Sequence, residues 1–238
     1  NVMQPYDALS KKHIVAIRGR FRPVTNIFLD MLKKGVKQFE NEADVDDDKI
    51  CILSELTLRN LEDGTNQIDE KDFLDRVDIL CSLGQTVLIS NFHEYFKLVA
   101  YLSQFTKLRM ALIMGMPNLE YIFDETHYKD LPGGIISAFA SLFGQKIKLY
   151  LYPTLNEQGE IIHLETFETE PHLAGLLTYL KDNEKLEDIQ KYDEKLMTIR
   201  TDNVLGMIQH GVGDWEKMVP ASVAKQIKEN HLFGYANH

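Results

Sequence analysis

The sequence is poor in the features that mark disulfide-rich scaffolds and membrane proteins. Only two cysteines, Cys51 and Cys81, occur among 238 residues, which excludes a disulfide framework and favours buried, reduced thiols. No apolar run approaches the roughly 20 residues that span a bilayer, and the N-terminus has no signal-peptide pattern. We therefore expect a cytoplasmic protein that does not enter a membrane.

Positive charge is also scarce. Lysine and arginine number 26 against 36 aspartates and glutamates, which gives a formal net charge of −10 at pH 7. A chain with this balance is a poor match for a phosphate backbone, so nucleic acid is not expected as a partner. The histidines are scattered and neither cysteine has a metal-ligand neighbour at useful spacing, so no tightly bound, protein-ligated metal is expected.

Short β-branched runs alternate with amphipathic stretches along the first part of the chain. The predicted strands are 13–18, 50–53, 87–89, 110–114 and 147–152, and the predicted helices between them are 26–39, 70–83, 94–105 and 135–142. Continuous apolar strands separated by helices are typical of a parallel sheet covered on both faces. The pattern therefore predicts an α/β fold with a doubly wound, Rossmann-like sheet of five parallel strands.

The pattern changes after Pro153. Residues 156–159 are a plausible hairpin turn between 149–152 and 161–164. The chain beyond Pro171 is then predicted to be helical, with helices over 171–181, near 184–192, over 198–209 and over 221–230. We expect a Rossmann-like domain over 1–165 and a C-terminal helical segment over 166–238 that packs on the same domain.

The scarce positive charge is concentrated after the first predicted strand. Arg18, Arg20 and Arg22 surround a glycine turn that leads into the helix predicted from residue 26. Backbone N–H groups and a helix N-terminus at one place predict a phosphate site. Residues two apart in an extended segment point the same way, so the three arginines are predicted to share a face. The alternative is that Arg18 and Arg22 pair with surface carboxylates of this acid-rich chain.

Two segments of the chain match known nucleotide-binding motifs. Residues 19–28 resemble the pattern G-R-F-Q-P-x-H-x-G-H, which has a T-x-G-H variant. Ser54 and then residues 66–76 resemble a serine after the second strand, followed by N-P-[FY]-[ST]-x-x-E-R. In this alignment Arg76 stands where the second motif has its arginine.

Two more motifs follow in the same order. Gly115 resembles the glycine after the fourth strand. Residues 197–200, the turn 211–215 and residues 219–223 resemble a Ser/Thr-x-Ile-Arg helix start, a glycine turn and V-P-x-x-V. Together the four motifs resemble the nucleotidyltransferase (cytidylyltransferase-like) superfamily, and most of all its nicotinamide mononucleotide (NMN) adenylyltransferases.

The resemblance implies a nucleotide ligand, either ATP or a mononucleotide. An active member would use Mg²⁺ with ATP, join the adenylyl group to NMN in NAD biosynthesis and release pyrophosphate. Catalytic roles are then assigned to Arg20, Thr25 and Arg200. The nucleotide- or phosphate-binding residues implied are Arg18, Gly19, Arg20, Phe21, Arg22, Thr25, Ser54, Arg76, Gly115, Thr198, Ile199 and Arg200. The acceptor nucleotide and the oligomeric state stay open, with a homo-oligomer among the alternatives.

The first motif departs from the family pattern at its catalytic positions. Thr25 stands at the first histidine, which some branches tolerate, and Phe28 stands at the second. Phe28 cannot donate a hydrogen bond to the triphosphate, and the loss of one such donor costs ~10²–10³ in rate. Ile27 replaces the glycine beside which the nucleotide approaches the backbone.

Two hypotheses therefore remain open at this point. One is an NMN-type adenylyltransferase, and the other is a catalytically degenerate member that serves as a nucleotide-binding or protein-interaction module. A third and weaker idea is another phosphate-bearing ligand held by the arginines. Residues 197–200 are expected to begin a helix that turns Arg200 toward the phosphates, unless Arg200 pairs with Asp193, Glu194 or Asp202.

Overall fold

The computed structural model describes residues 2–58 and 70–235 of the chain. Its helices are α1 (Pro5–Leu9), α2 (Asn26–Phe39), α3 (Glu70–Ser82), α4 (Tyr95–Leu102), α5 (Met116–Phe123), α6 (Gly134–Phe143), α7 (Ala174–Asp182), α8 (Thr201–His210) and α9 (Ala221–Asn230). Its strands are β1 (His13–Arg18), β2 (Ile50–Thr57), β3 (Thr86–Ser90), β4 (Met110–Gly115), β5 (Ile147–Tyr152), β6 (Thr154–Leu155), β7 (Ile161–Ile162) and β8 (Leu186–Asp188).

The main sheet has six strands among the described residues, in the order β3-β2-β1-β4-β5-β8. The pairs β2–β3, β1–β4, β4–β5 and β5–β8 are parallel. The predicted parallel α/β sheet is confirmed, and its order changes direction at β1 as a doubly wound sheet requires. The predicted turn 156–159 joins a separate antiparallel pair, β6–β7. The first strand of this hairpin is β6, and not the predicted 149–152, which belongs to β5.

The sixth strand replaces a predicted helix. The charged segment 184–192 contains β8, in which Leu186 is buried and pairs with Leu149. Its two acidic side chains have partners, since Glu187 bonds the Lys148 ammonium at 2.8 Å and the Asp188 carboxylate accepts from the Leu164 N–H at 3.0 Å. The helix prediction was wrong because these charges are satisfied by distant groups rather than by solvent.

Contacts within the chain divide it into two compact units that interleave along the sequence. Unit 1 contains the residues up to Ile17, Lys34–Ile52 and Phe92–Lys191. Unit 2 contains Arg18–Lys33, Leu53–Asn91 and the residues from Tyr192 onward. Each unit has its own buried side chains, and the division predicted at residue 165 stays a prediction.

The core of unit 1 is formed by strands that are buried along their whole length. Every residue of β5 is buried, as are residues 110–114 of β4, which is typical of parallel strands covered on both faces. Helix α2 approaches β4 closely at Gly35, where a Cβ atom would lie 2.5 Å from the Ile113 Cδ1 atom. A larger residue at Gly35 would therefore displace the helix or the strand. No described helix combines the length and the apolar character needed to cross a membrane.

Unit 1 also buries several polar groups. The Lys148 ammonium contacts the Glu42 and Glu187 carboxylates, and the Tyr150 hydroxyl donates to Glu42 at 2.7 Å. Burial raises the pKa of Tyr150, and its bond to Glu42 raises it further. His13 is 3% exposed, and its Nε2 atom accepts from the Asp46 N–H at 3.3 Å.

His13 should make stability depend on pH. Burial lowers its pKa below the ordinary 6.5, although Asp44 and Asp46 act in the opposite direction. As the pH falls through 6.5, the unfolded chain binds this proton before the folded chain does, so the free energy of unfolding should decrease. Chemical denaturation between about pH 7 and about pH 5 measures that slope.

One variant separates His13 from the other titrating groups. His13→Gln should flatten the slope, because it removes the buried imidazole and leaves the carboxylates in place. The carboxylates of Glu42 and Asp46 have lowered pKa values and titrate in more acidic solution. An unchanged slope in His13→Gln would contradict the assignment.

The core of unit 2 is built from helix faces. Fully buried side chains come in pairs from α3 (Ile79, Leu80), α8 (Val204, Ile208) and α9 (Val223, Ile227). The spacing of four residues in α8 and α9 places each pair on one face of its helix. The 3₁₀ turn Trp215–Met218 adds Trp215, which is 4% exposed and stands edge-on to the Tyr235 ring at 5.9 Å.

The two cysteines are free thiols, as expected, but neither is fully buried. Cys81 is exposed because the preceding residues Ile79 and Leu80 take the core-facing positions of α3. Cys51 is half-buried, and burial raises the pKa of its thiol.

Candidate functional site

The predicted phosphate turn lies between β1 and α2 and belongs to unit 2. Phe21 has a φ of +51°, in the left-handed region, and its ring is 4% exposed. A Cβ atom on Gly19 would lie 2.8 Å from the Cε1 atom of that ring. Glycine is therefore needed here because the Phe21 ring folds back over it. The Gly19 N–H donates to the Glu55 carbonyl at 3.3 Å.

Phe28 packs against the Phe21 ring. The Phe21 and Phe28 rings meet edge to face with centroids 5.0 Å apart, and Phe28 is 8% exposed. The position at which the resembling motif has its second histidine is therefore filled by an aromatic pair. Thr25, at the first histidine, is 1% exposed, and its carbonyl accepts from the Leu29 N–H at 3.3 Å as α2 begins.

Arg18 is held by a buried carboxylate, and not by the surface carboxylate that the alternative predicted. Its Nε and Nη2 atoms bond the two carboxylate oxygens of Glu55 at 2.6 and 3.0 Å. Glu55 is fully buried, and the Ser90 hydroxyl donates to the same carboxylate. The network joins residues from β1, β2 and β3 and leaves Arg18 with a 10% exposed side chain.

A second carboxylate holds two arginines. The Asp72 carboxylate contacts the Arg22 Nε atom at 2.8 Å and the Arg76 guanidinium. Arg76 also donates to the Arg20 carbonyl at 3.3 Å, and its side chain is 3% exposed. Burial lowers the pKa of Arg76, while Asp72 opposes the shift. Arg76 therefore stabilises the backbone of the turn through its hydrogen bond to the Arg20 carbonyl.

Arg20 is the exposed member of the group. Its Nη1 atom bonds the Asp202 carboxylate at 3.0 Å, and the two side chains are 60% and 77% exposed. Asp202 lies in the first turn of α8. Asn26 makes a further link within unit 2, since its side-chain amide donates to the Lys217 carbonyl at 2.9 Å.

The start of α8 differs from the prediction. The helix begins at Thr201, because Arg200 has an extended backbone with φ −113° and ψ 121°. Thr198 and Ile199 therefore precede the helix instead of forming its first turn. Arg200 is exposed and donates to the Met197 carbonyl at 3.4 Å, and Asp202, one of its expected partners, bonds Arg20.

Ser54 and Gly115 are two further predicted site residues. Ser54 is fully buried, and its hydroxyl bonds the Gln85 side chain at 3.2 Å. Gly115 ends β4 in unit 1, and a Cβ atom there would make only ordinary contacts at 3.6 Å. Residues 66–69 of the second motif lie outside the described residues.

The charges of the site nearly balance. Four guanidinium groups (Arg18, Arg20, Arg22, Arg76) face three carboxylates (Glu55, Asp72, Asp202) through the ion pairs above. One positive charge remains in excess among these seven side chains. Within residues 2–58 and 70–235 no three His, Cys, Asp or Glu side chains stand together as a metal site.

Sequence reasoning missed the pairing of all three carboxylates, and it named Asp202 only as a partner of Arg200. Asp72 has a signal, because it precedes Arg76 by four residues on a helix and such pairs bond. Glu55 has a weaker one, as a lone charge inside an apolar strand. Asp202 has none, since its partner Arg20 is 182 residues away.

The arrangement was compared with known proteins. No protein-family model matches this chain, and no curated protein matches it. Among solved structures, Plasmodium falciparum nicotinic acid mononucleotide adenylyltransferase complexed with APC is similar, with a TM-score of 0.53 and 11% identity. The match covers 94% of this chain and 98% of that chain. The chain has a nucleotidyltransferase-like fold. At this identity the likeness is one of fold alone.

Proposed function

We propose that this chain binds a phosphate-bearing nucleotide at the Arg20 turn and catalyses adenylyl transfer weakly at most. The observation that carries the proposal is the contrast between two neighbours in unit 2. Arg20 is a 60% exposed guanidinium whose partner is itself exposed, whereas Phe28 is packed against Phe21 at the position of a hydrogen-bond donor. Arg20 supplies a positive charge that can bind a phosphate. Phe28 stands where the family motif has a histidine that donates a hydrogen bond in the transfer step.

Binding depends on which guanidinium a phosphate reaches. Arg18 is held by fully buried Glu55, and Arg22 shares Asp72 with buried Arg76. These bonds position the turn, because separating a buried charge from its partner is costly. Within residues 2–58 and 70–235 the Arg20 guanidinium bonds an exposed carboxylate, and such pairs contribute little to stability. A phosphate oxygen is therefore expected to replace the Asp202 carboxylate as the partner of the Arg20 guanidinium.

Transfer of an adenylyl group depends on positioning and on donors aimed at the charge that develops on the phosphates. Phe28 presents ring carbon and hydrogen atoms, and it is 8% exposed. Without this donor the transfer rate is expected to fall by ~10²–10³. Mg²⁺ enters the proposal as the counter-ion that ATP carries, because the described residues offer no cluster of metal ligands.

The second candidate is an active NMN-type adenylyltransferase. It is favoured by the length of the match, since 94% of this chain aligns with a protein named as a nicotinic acid mononucleotide adenylyltransferase. Thr25, Arg20 and Arg200 would then carry the reaction. Pyrophosphate release from ATP–Mg²⁺ and NMN separates the candidates: robust turnover supports the enzyme, and binding without release supports the degenerate nucleotide-binding protein.

Replacing Arg20 with alanine tests the binding site directly. Calorimetric titration with ATP–Mg²⁺ should show an affinity loss of about 1.5–3 kcal/mol, the scale of a charge-assisted hydrogen bond. Lys225→Ala is the matched control, because Lys225 is also an exposed cation of unit 2 with an exposed carboxylate partner, Glu229. Equal affinities in both variants would remove Arg20 from the site.

A further inference from the structure

We infer that Asp202 is a built-in competitor that sets the affinity of the Arg20 site for phosphate. Its carboxylate bonds the guanidinium that a phosphate must reach. The inference rests on the proposed function, because it concerns the same guanidinium. It differs from that function in assigning a role to a carboxylate that opposes binding.

The position of Asp202 makes it an effective competitor. Its Oδ1 atom lies 3.0 Å from the Arg20 Nη1 atom, a distance at which a phosphate oxygen would also bond. The side chains are 77% and 60% exposed, so the pair opens without stranding a buried charge. Arg18 and Arg22, by contrast, bond carboxylates that are 0% and 8% exposed at the side chain.

Asp202 also acts on the start of α8. It lies in the first turn of that helix, where a carboxylate offsets the partial positive charge of the helix N-terminus. A phosphate at Arg20 would therefore meet a negative charge beside it even after Asp202 has moved away. Both effects weaken phosphate binding, and both disappear when the carboxylate becomes an amide.

Asp202→Asn is the decisive variant, because asparagine keeps the size of the side chain and is well tolerated near a helix start. Its affinity for ATP–Mg²⁺ and for inorganic phosphate, measured by calorimetry, should rise about threefold to tenfold. Glu229→Gln is the control, since it removes one exposed negative charge of unit 2 from a different ion pair. Its affinity should equal that of the unmodified chain.

A double variant shows whether Asp202 acts through Arg20. In the Arg20→Ala background, Asp202→Asn should raise the affinity less than about twofold, because contacting residues of one ion pair are coupled. An equal gain in both backgrounds would overturn the competitor role. The role is also overturned if Asp202→Asn binds no more tightly than the unmodified chain.

The two proposals fail in different ways. If the unmodified chain binds ATP–Mg²⁺ and Arg20→Ala weakens it, but Asp202→Asn changes nothing, only the competitor role is overturned. If neither the unmodified chain nor Asp202→Asn binds ATP–Mg²⁺ or phosphate, the proposed function is overturned and the competitor role with it. Binding by Asp202→Asn alone would support the competitor role and would overturn nucleotide binding by the unmodified chain.

Discussion

Replacing Glu55 with alanine should lower the free energy of unfolding by about 3–5 kcal/mol, because it removes a buried carboxylate that bonds two nitrogen atoms of the Arg18 guanidinium. Glu55 is fully buried, and it accepts hydrogen bonds from Arg18 and Ser90 as well as a main-chain bond from Gly19. Denaturant titration measures the loss. The expected value is a large fraction of the stability of an ordinary domain.

Two further variants show how much of the lost stability comes from breaking a buried ion pair. Glu216→Ala removes an exposed carboxylate of unit 2 that bonds Lys228 at 2.6 Å, and it should cost only about 0–1 kcal/mol. The double variant Arg18→Leu with Glu55→Leu should recover most of the loss, since apolar side chains replace both charges. A cost for Glu55→Ala no greater than that for Glu216→Ala would show that the buried pair contributes little.

Restoring the missing donor should raise turnover by about 10²-fold. In the double variant Ile27→Gly with Phe28→His, an imidazole returns to the donor position, where one donor contributes ~10²–10³ in rate. The change removes the edge-to-face contact between Phe28 and Phe21. Its cost in stability should stay below the ~3–5 kcal/mol of a complete Phe→Ala truncation. Pyrophosphate release from ATP–Mg²⁺ and NMN is the measurement.

The matched control has a side chain of similar size to histidine at position 28 but no hydrogen-bond donor there. Ile27→Gly with Phe28→Leu should lose a similar amount of stability and gain no turnover. Equal rates in the two double variants would mean that the imidazole does not reach the reacting phosphate. Robust pyrophosphate release by the unmodified chain would instead favour the second candidate function.

The elements that the sequence predicts well are those with a strong local pattern. The bounds of β1, β5, α2 and α9 agree with the prediction because each has a continuous apolar run or a clear amphipathic period. Helix α5 was missed, since Met116 and Pro117 follow β4 without an intervening loop. Strand β8 was missed because the pairing of its charged side chains depends on the tertiary structure.

The candidate site was predicted in part for a similar reason. The turn after β1 and its arginines follow from residues close together in the sequence, and the structure places them at the carboxyl end of β1. Their partners do not follow, because Glu55 is 37 residues from Arg18 and Asp202 is 182 residues from Arg20. Local patterns give the arginines of the site and the pair of Asp72 with Arg76, whereas Glu55 and Asp202 reach their arginines only through the fold.

The single tryptophan of the chain gives unit 2 an optical signal of its own. Trp215 is 4% exposed beside the Tyr235 ring, and the 3₁₀ turn that contains it bonds Asn26 at the start of α2. Its fluorescence therefore reports the environment of the unit that carries Arg20 and Asp202, while far-ultraviolet circular dichroism reports the helices of both units. Recording the two signals during one denaturation shows whether the interleaved units unfold in one transition or in two.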